Sequence, residues 1–171
     1  MPDRINAARL ARECARFTGS IPLDRMPRLA QCLADTGGQA EVEAAFASDA
    51  AGRAIVSGRA RAAVNLVCQR CLEPTAWTLD AQFVLALVEN ETEAAALPAE
   101  YEPLLWPDGT GTLAQLVEDE LLLVLPVVAR HADAAACGPA AAALHQEGEA
   151  RRDDNPFAAL EKLKRKGSTW D

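Results

Sequence analysis

The sequence predicts an α+β fold, in which an antiparallel β-sheet packs against segregated helices. In residues 54–67 and 77–87 apolar side chains recur at every second position, which is typical of β-strands. Cys68 and Cys71 lie between these two runs, so we expect an antiparallel hairpin that carries a Cys-x-x-Cys motif at its tip. A capping box that begins at Thr112 indicates a long helix outside the sheet.

The other elements follow from periodicity and from glycine and proline positions. We expect helices over residues 5–17 and 23–33, with Pro27 in the first turn of the second, and a strand over residues 41–47. The helix after Thr112 should end before Pro126. Its expected apolar face contains aliphatic residues and one acidic residue, Glu120. The full set is Leu113, Leu116, Val117, Glu120, Leu121 and Val124.

We expect two parts in the chain. Residues 1–150 form a single α+β domain with a helical N-terminal part, and residues 151–171 form a basic C-terminal tail or short helix. The sequence lacks both the apolar core of a signal peptide and an apolar run of the roughly 20 residues that span a membrane. We therefore expect a cytoplasmic protein, whose five cysteines are free or metal-bound rather than paired in disulfides.

Charge is distributed unevenly along the 171 residues, whose formal net charge is −8. Residues 1–70 contain ten arginines, whereas residues 71–129 contain no lysine or arginine and eleven acidic residues. An acidic middle cannot hold nucleic-acid phosphates by counterion release, because that needs several basic side chains on one surface. A basic protein, or an RNA–protein particle that only the basic ends touch, is a better match. Ordinary acidic solubility explains the same distribution.

The Cys68–Cys71 pair has three interpretations. Zinc takes four ligands in structural sites, and His131 and Cys137 follow the long helix and can supply the other two. The alternatives are thiols without a ligand and a redox pair, which needs a helix N-terminus inside a βαβ unit. The strand-like surroundings favour zinc. Cys14 and Cys32 lie in helical patterns and are expected to be small buried apolar residues.

Two charged segments are candidate partner-binding surfaces. Glu118, Asp119 and Glu120 occupy consecutive positions on a helix and therefore fan apart, so a solvated or partner-facing edge is expected rather than a catalytic site. Residues 155–166 combine apolar and basic side chains and form either a frayed terminal helix or a short docking helix that touches rRNA or a protein. The candidate contact residues in that segment are Phe157, Lys162, Lys164, Arg165 and Lys166. Phosphate-loop and nucleophile-elbow motifs are absent from the sequence, so we expect no enzyme activity and no small-molecule substrate.

Four stretches, in order, resemble the bacterial YceD family, which is named for a large ribosomal RNA subunit accumulation protein. They are VCQRC at 67–71, LPAEYEP at 97–103, VEDELLLVLPVV at 117–128 and NPFAAL at 155–160 with the basic residues that follow. The resemblance implies a non-enzymatic cytosolic factor in the synthesis, processing or stability of large-subunit (23S) rRNA. It implies as partner the pre-ribosomal large subunit, through rRNA or a basic ribosomal protein, and no membrane.

The resemblance also bears on the metal ligands. Family members carry the Cys-x-x-Cys and a later cysteine, which match Cys68, Cys71 and Cys137. The fourth ligand stays open between His131 and either Glu73 or water. The competing functions are a zinc-stabilised protein-interaction module without a ribosomal role and, less favoured, a Cys-x-x-Cys thiol oxidoreductase.

Overall fold

A computed structural model describes residues 4–138 of the chain. The strands are β1 (Ile5–Asn6), β2 (Arg16–Pro22), β3 (Gln39–Ser48), β4 (Ala54–Val67), β5 (Pro74–Val88), β6 (Glu102–Leu105) and β7 (Thr110–Gly111). The α-helices are α1 (Ala7–Arg12), α2 (Pro27–Ala30), α3 (Glu91–Ala95) and α4 (Leu113–Leu123), and 3₁₀ turns span Leu23–Arg25 and Ala134–Cys137. Among these helices, none is long and apolar enough to cross a membrane.

The predicted α+β class is confirmed. The main sheet has the order β2-β3-β4-β5-β6, and all its neighbours are antiparallel except β5 and β6, which are parallel. A small separate sheet pairs β1 with β7. The N-terminus is thereby tied to the segment that leads into α4, because Ile5 lies opposite Gly111.

The long β4–β5 hairpin is also confirmed. Its register runs from Ile55 opposite Ala86 to Val67 opposite Pro74, which leaves six residues, 68–73, to form the tip. The alternation seen in the sequence separates two faces. The face turned to the core carries Ala60, Ala62, Val64 and Leu66 from β4 and Leu79, Ala81, Phe83 and Leu85 from β5.

The hydrophobic core lies between this face of the sheet and the helices. Helix α1 packs on β3 and β4, and α4 packs on β5, β4 and α2. Four of the six residues predicted for the apolar face of α4 are buried aliphatic side chains: Leu113, Leu116, Val117 and Leu121. Val124 is an exception. The helix ends at Leu123, so Val124 is the C-cap residue and is exposed.

The predicted helix over residues 5–17 is confirmed only for Ala7–Arg12, because Ile5–Asn6 form β1 and the helix ends at Arg12. Cys14 has a left-handed backbone (φ 48°) and turns the chain, and the Ala15 carbonyl then accepts a hydrogen bond from the Phe46 N–H. Residues 16–22 consequently pair with β3 along their whole length. Helix propensity is a weak local preference, and the ladder hydrogen bonds of this sheet edge override it.

The predicted second helix is shorter than expected. A 3₁₀ turn covers Leu23–Arg25, and α2 covers only Pro27–Ala30, with Pro27 in its first turn as predicted. The expectation that Cys14 and Cys32 are buried is wrong, because both are exposed. Each lies where an expected helix has already ended, so the helical spacing that predicted an inward position does not apply.

The second face of the sheet is open and carries matched charges. Glu41 and Glu43 of β3 lie opposite Arg61 and Arg59 of β4, and both arginines form ion pairs with Asp80 of β5. These carboxylates and guanidinium groups largely neutralise one another, so this face offers no basic surface for nucleic acid. The predicted division at residue 150 and the predicted helix at 157–166 lie outside the described residues.

Candidate metal centre

The tip of the β4–β5 hairpin folds into a tight loop that holds two thiols. The Cys68 N–H donates to the Glu73 carbonyl at 2.9 Å, and the Leu72 N–H donates to the Cys68 carbonyl at 2.8 Å. Leu72 adopts a left-handed conformation (φ 63°), which lets the chain reverse within these few residues. The result is that Cys68 and Cys71 both face the interior of the loop rather than solvent: Cys68 is fully buried and Cys71 partly so.

The segment that follows α4 brings the other two groups to this loop. The Gln69 N–H donates to the Ala129 carbonyl at 2.8 Å, so the chain runs alongside the hairpin tip just before His131. The Asp133 side chain then caps the Ala134–Cys137 turn by accepting from the Ala135 N–H at 2.9 Å. This short turn delivers Cys137 to the same place.

All four predicted ligands meet. The Sγ atoms of Cys68, Cys71 and Cys137 and a ring nitrogen of His131 lie within 4.8 Å of one another. The Cys68 and Cys137 sulfurs are 3.9 Å apart. The His131 Nδ1 atom lies 3.6 Å from the Cys71 sulfur and 3.5 Å from the Cys137 sulfur. This Cys₃His group can hold one metal ion, and His131 occupies the position of the fourth ligand that the sequence left open.

The electrostatics of the group favour a thiolate at Cys68. Burial raises the pKa of this thiol, but backbone N–H groups of Cys71, Arg70 and His131 donate to its sulfur. These hydrogen bonds outweigh burial and lower the pKa to about 5. At Cys71 the Glu73 N–H lowers the pKa, but burial and the neighbouring sulfurs of Cys68 and Cys137 outweigh it, and the pKa is raised. A second or third thiolate in this small space therefore needs a cation between the sulfurs.

Arg70 is a further member of the site that sequence reasoning missed. Its guanidinium Nη1 lies 3.7 Å from the Cys137 sulfur. A positive charge beside a sulfur stabilises the thiolate form, and such outer contacts orient a ligand. Arg70 could have been noticed in the sequence, because it lies inside the Cys-x-x-Cys motif. The sequence could not show that its side chain approaches Cys137, because that depends on the fold of the loop.

The predicted acidic edge on α4 is divided by the fold into three different environments. Glu118 is buried, and its carboxylate accepts from the backbone N–H groups of Arg28 and Leu29 and from the Arg28 guanidinium. Asp119 is half exposed and forms an ion pair with the same guanidinium at 2.6 Å. Adjacent carboxylates thus converge on one arginine of another element, although they diverge around their own helix. The expectation of a solvated edge is wrong for Glu118 because α2 packs against this side of α4.

Glu120 is buried, as its predicted place on the apolar face of α4 indicates, and is not part of a solvated edge. In the described residues no ion pair within 4.0 Å is found for it. Burial, together with the nearby carboxylates of Glu102 and Asp119, raises the pKa of Glu120. A raised pKa means that the folded state favours the protonated form. The stability that this provides is present at low pH and is lost as the pH rises through the raised pKa.

We therefore predict that Glu120→Gln stabilises the protein at neutral pH. Glutamine stays neutral, so the variant avoids the cost of ionising a buried carboxyl group. The melting temperature at pH 7 should rise by about a few degrees, and the difference should shrink as the pH falls towards 4, because glutamate becomes increasingly protonated in both states. Thermal unfolding of both proteins between pH 4 and pH 8 measures this; a difference that does not depend on pH would contradict it.

The exposed acidic residues cluster elsewhere. We define the acidic connection as residues 89–102, which comprise the link from β5 to β6, with α3 in it, and the first residue of β6. Its five carboxylates are all exposed: Glu89, Glu91, Glu93, Glu100 and Glu102. This connection begins at the end of β5 that lies opposite the metal centre. The predicted contact residues Phe157, Lys162, Lys164, Arg165 and Lys166 lie outside the described residues.

Comparison with known proteins identifies the class of protein. Residues 56–164 match the family described as "Large ribosomal RNA subunit accumulation protein YceD", and the chain belongs to this family. A protein of that same name from Haemophilus influenzae is 31% identical, in an alignment that covers 97% of this chain and 97% of that protein. The resemblance inferred from the four sequence stretches is thereby confirmed. A search of solved structures finds no match.

Proposed function

We propose that this protein is a non-enzymatic, cytoplasmic binding factor that supports the synthesis, processing or stability of large-subunit (23S) rRNA. The observation that carries the proposal is the similarity over almost the full length of both chains to a protein named for large ribosomal RNA subunit accumulation. Because the similarity spans the whole chain, it includes the elements that build the metal centre and the acidic connection. The partner proposed is the pre-ribosomal large subunit.

The charge distribution of the described residues supports binding to a basic protein rather than to bare RNA. The acidic connection has five exposed carboxylates and no basic residue, so a basic ribosomal protein is a complementary partner. Within the Glu118–Glu120 triplet, Asp119 is the exposed member and is the one proposed to contact a partner. The basic residues Lys162, Lys164, Arg165 and Lys166 are proposed to contact rRNA phosphates.

We also propose that the metal is zinc and that its role is structural. In a tetrahedral site with Zn–S bonds of about 2.3 Å and a Zn–N bond of about 2.0 Å, two sulfurs are about 3.8 Å apart and a sulfur and a nitrogen are about 3.5 Å apart. Three of the six distances between the ligand atoms, 3.9 Å, 3.6 Å and 3.5 Å, are close to these values, and all six are within 4.8 Å. Three thiols and one imidazole suit a soft or borderline ion such as zinc, and four protein ligands leave no open position for a substrate. Bound zinc would clamp the β4–β5 hairpin to the segment after α4.

A thiol oxidoreductase is less well supported. Such an enzyme uses two cysteines that alternate between dithiol and disulfide, with the attacking thiol activated at a helix N-terminus. Here the motif joins two strands, and a third cysteine and a histidine share the same space. Cys68 and Cys71 would need access to a disulfide substrate, but Cys68 is fully buried. These features favour the structural metal site.

Co-sedimentation with large-subunit precursor particles tests the proposed function. We expect the protein to sediment with these particles at low salt and to dissociate at about 0.5 M salt, because ion screening weakens contacts between exposed charges. The double variant Glu91→Gln/Glu100→Gln should bind about three- to tenfold more weakly, since each exposed ion pair contributes up to about 1 kcal/mol.

The matched control is Glu41→Gln/Glu43→Gln, which removes the same charge from the open face of the sheet. This control should bind like the wild type. Equal weakening by both double variants would show that net charge rather than the acidic connection matters. Absence of co-sedimentation at low salt would overturn the proposed function itself.

A further inference from the structure

Beside the metal centre lies a group of exposed aliphatic side chains, which we call the apolar patch: Leu123, Val124, Val127 and Val128. Leu123 is 73% exposed and Val127 is fully exposed. The segment from Leu121 to Ala129 contains no polar side chain at all. Leu122 and Leu125 of this segment pack against the core. The apolar patch consists of the side chains that remain exposed in the described fold.

The patch is costly to leave in water. Burying leucine and valine side chains is favourable, and exposed apolar side chains grouped in one segment often mark a place where another segment or protein binds. Leu72, on the adjacent hairpin tip, is also 74% exposed. The Gln69–Ala129 hydrogen bond holds this tip against the segment that carries the patch. Leu72 therefore adds to the exposed apolar surface at this end of the molecule.

The remaining chain leaves the described fold at this end. Cys137 lies in the metal centre, 3.5 Å from the His131 ring nitrogen, and the described residues stop at Gly138. Another 33 residues follow, 139–171. They contain one run with large apolar side chains at intervals of three, namely Phe157, Leu160 and Leu163. A helix would place these three side chains along one stripe.

We propose that residues 157–163 of the same chain cover the apolar patch. The 19 residues from Gly138 to Phe157 have a root-mean-square span of about 25 Å as a flexible linker, which suffices to return to a patch beside the exit point. Tethering of this kind gives an effective concentration of about millimolar, so even weak apolar contacts are occupied. The proposal is independent of the ribosomal function.

The charges also suit this occupant. Lys162, Lys164, Arg165 and Lys166 stand at and after the end of the apolar run, whereas residues 71–129 contain no basic residue. Asp119 lies one helical turn before Leu123 on α4, half exposed, and Glu73 follows Leu72 at the hairpin tip. Attraction to these carboxylates favours the approach of the basic segment, and its basic side chains stay available to the rRNA phosphates proposed above. A second copy of the protein, or a different protein, would be the other possible occupant, and the experiment separates them.

Hydrogen–deuterium exchange of the full-length, metal-loaded protein tests the proposal. In the wild type, amides of residues 122–131 should be protected. The double variant Phe157→Ser/Leu160→Ser should accelerate their exchange by about fivefold or more, because the covering segment is released. In a helix, position 158 would lie opposite the stripe of 157, 160 and 163, so the control Ala158→Ser should exchange like the wild type. Metal content of one ion per chain in each variant shows that the fold is retained.

The reciprocal variant Leu123→Ser/Val127→Ser should accelerate exchange of residues 157–163 to a similar extent. Both substituted side chains are exposed in the described fold, so serine removes no core contact. Wild-type exchange rates in both double variants would overturn the proposal. Protection in the wild type that increases with protein concentration between about 1 and 100 µM would overturn it in favour of a second copy.

Discussion

We expect that replacing Cys71 with serine abolishes metal binding at the Cys₃His group and destabilises the β4–β5 hairpin tip. Serine has nearly the size of cysteine but no thiolate, so the change removes one of four ligands with little effect on packing. Metal affinity should fall by more than the roughly 10- to 100-fold that loss of an outer contact to a metal ligand costs. A metal ion held by these four residues would join the hairpin tip to the segment of His131 and Cys137, so its binding free energy would also stabilise the fold.

Metal analysis and thermal unfolding measure this effect. Wild-type protein purified without chelator should contain one zinc per chain, and chelator should lower its melting temperature. Cys71→Ser should melt at the lower temperature with or without chelator. The matched control is Cys32→Ser, because Cys32 is exposed and lies outside the metal centre. A wild-type protein that is equally stable with and without metal would contradict a structural role.

Replacing Glu118 with alanine will be the most damaging change among the three acidic residues of α4. Its carboxylate is almost fully buried and accepts from the Arg28 N–H at 2.6 Å and from the Leu29 N–H at 3.1 Å. It also accepts from the Arg28 guanidinium. Alanine leaves the N–H groups at the start of α2 without an acceptor. Buried groups without partners cost about 1–3 kcal/mol each, so we expect the free energy of unfolding to fall by about 3 kcal/mol.

Asp119→Ala is the matched control, because Asp119 carries the same charge, pairs with the same arginine and differs in being half exposed. It should lower the free energy of unfolding by no more than about 1 kcal/mol, as for other exposed ion pairs. Urea unfolding of the two variants gives both values. Similar losses in both would mean that the Arg28 ion pair matters rather than the capping of α2.

The hairpin could be predicted because its evidence is local. In β4 and β5 each side chain faces the core or solvent according to its position, and the alternation of Ala60, Ala62 and Val64 with polar or small neighbours records that directly. The same holds for the α4 cap, where the Gln115 N–H donates to the Thr112 hydroxyl at 3.0 Å. Such patterns depend on residues a few positions apart, so one sequence suffices to detect them.

The first 33 residues were harder to predict because a distant partner determines their structure. Residues 16–22 form an edge strand only because β3 offers a free row of backbone groups, and nothing in the alanine- and arginine-rich N-terminal sequence indicates this. Likewise, the sequence shows that Glu118, Asp119 and Glu120 are charged, but it does not show which of these carboxylates is buried and which is exposed. Glu118 is buried because α2 packs on α4, and that contact joins residues 90 positions apart.

The candidate metal centre shows most clearly the difference between what the local sequence predicts and what distant contacts decide. By itself, the sequence indicated one half of the site, since Cys68 and Cys71 lie between two strand-like runs and this position predicts a tight loop. It also proposed His131 and Cys137, but could not decide whether they reach the loop. The tertiary structure decided that, through the path of the chain after α4 and the Gln69–Ala129 hydrogen bond. The physical reason is that ligand chemistry is a property of single residues, whereas distances between residues 60 positions apart depend on the packing of the whole core.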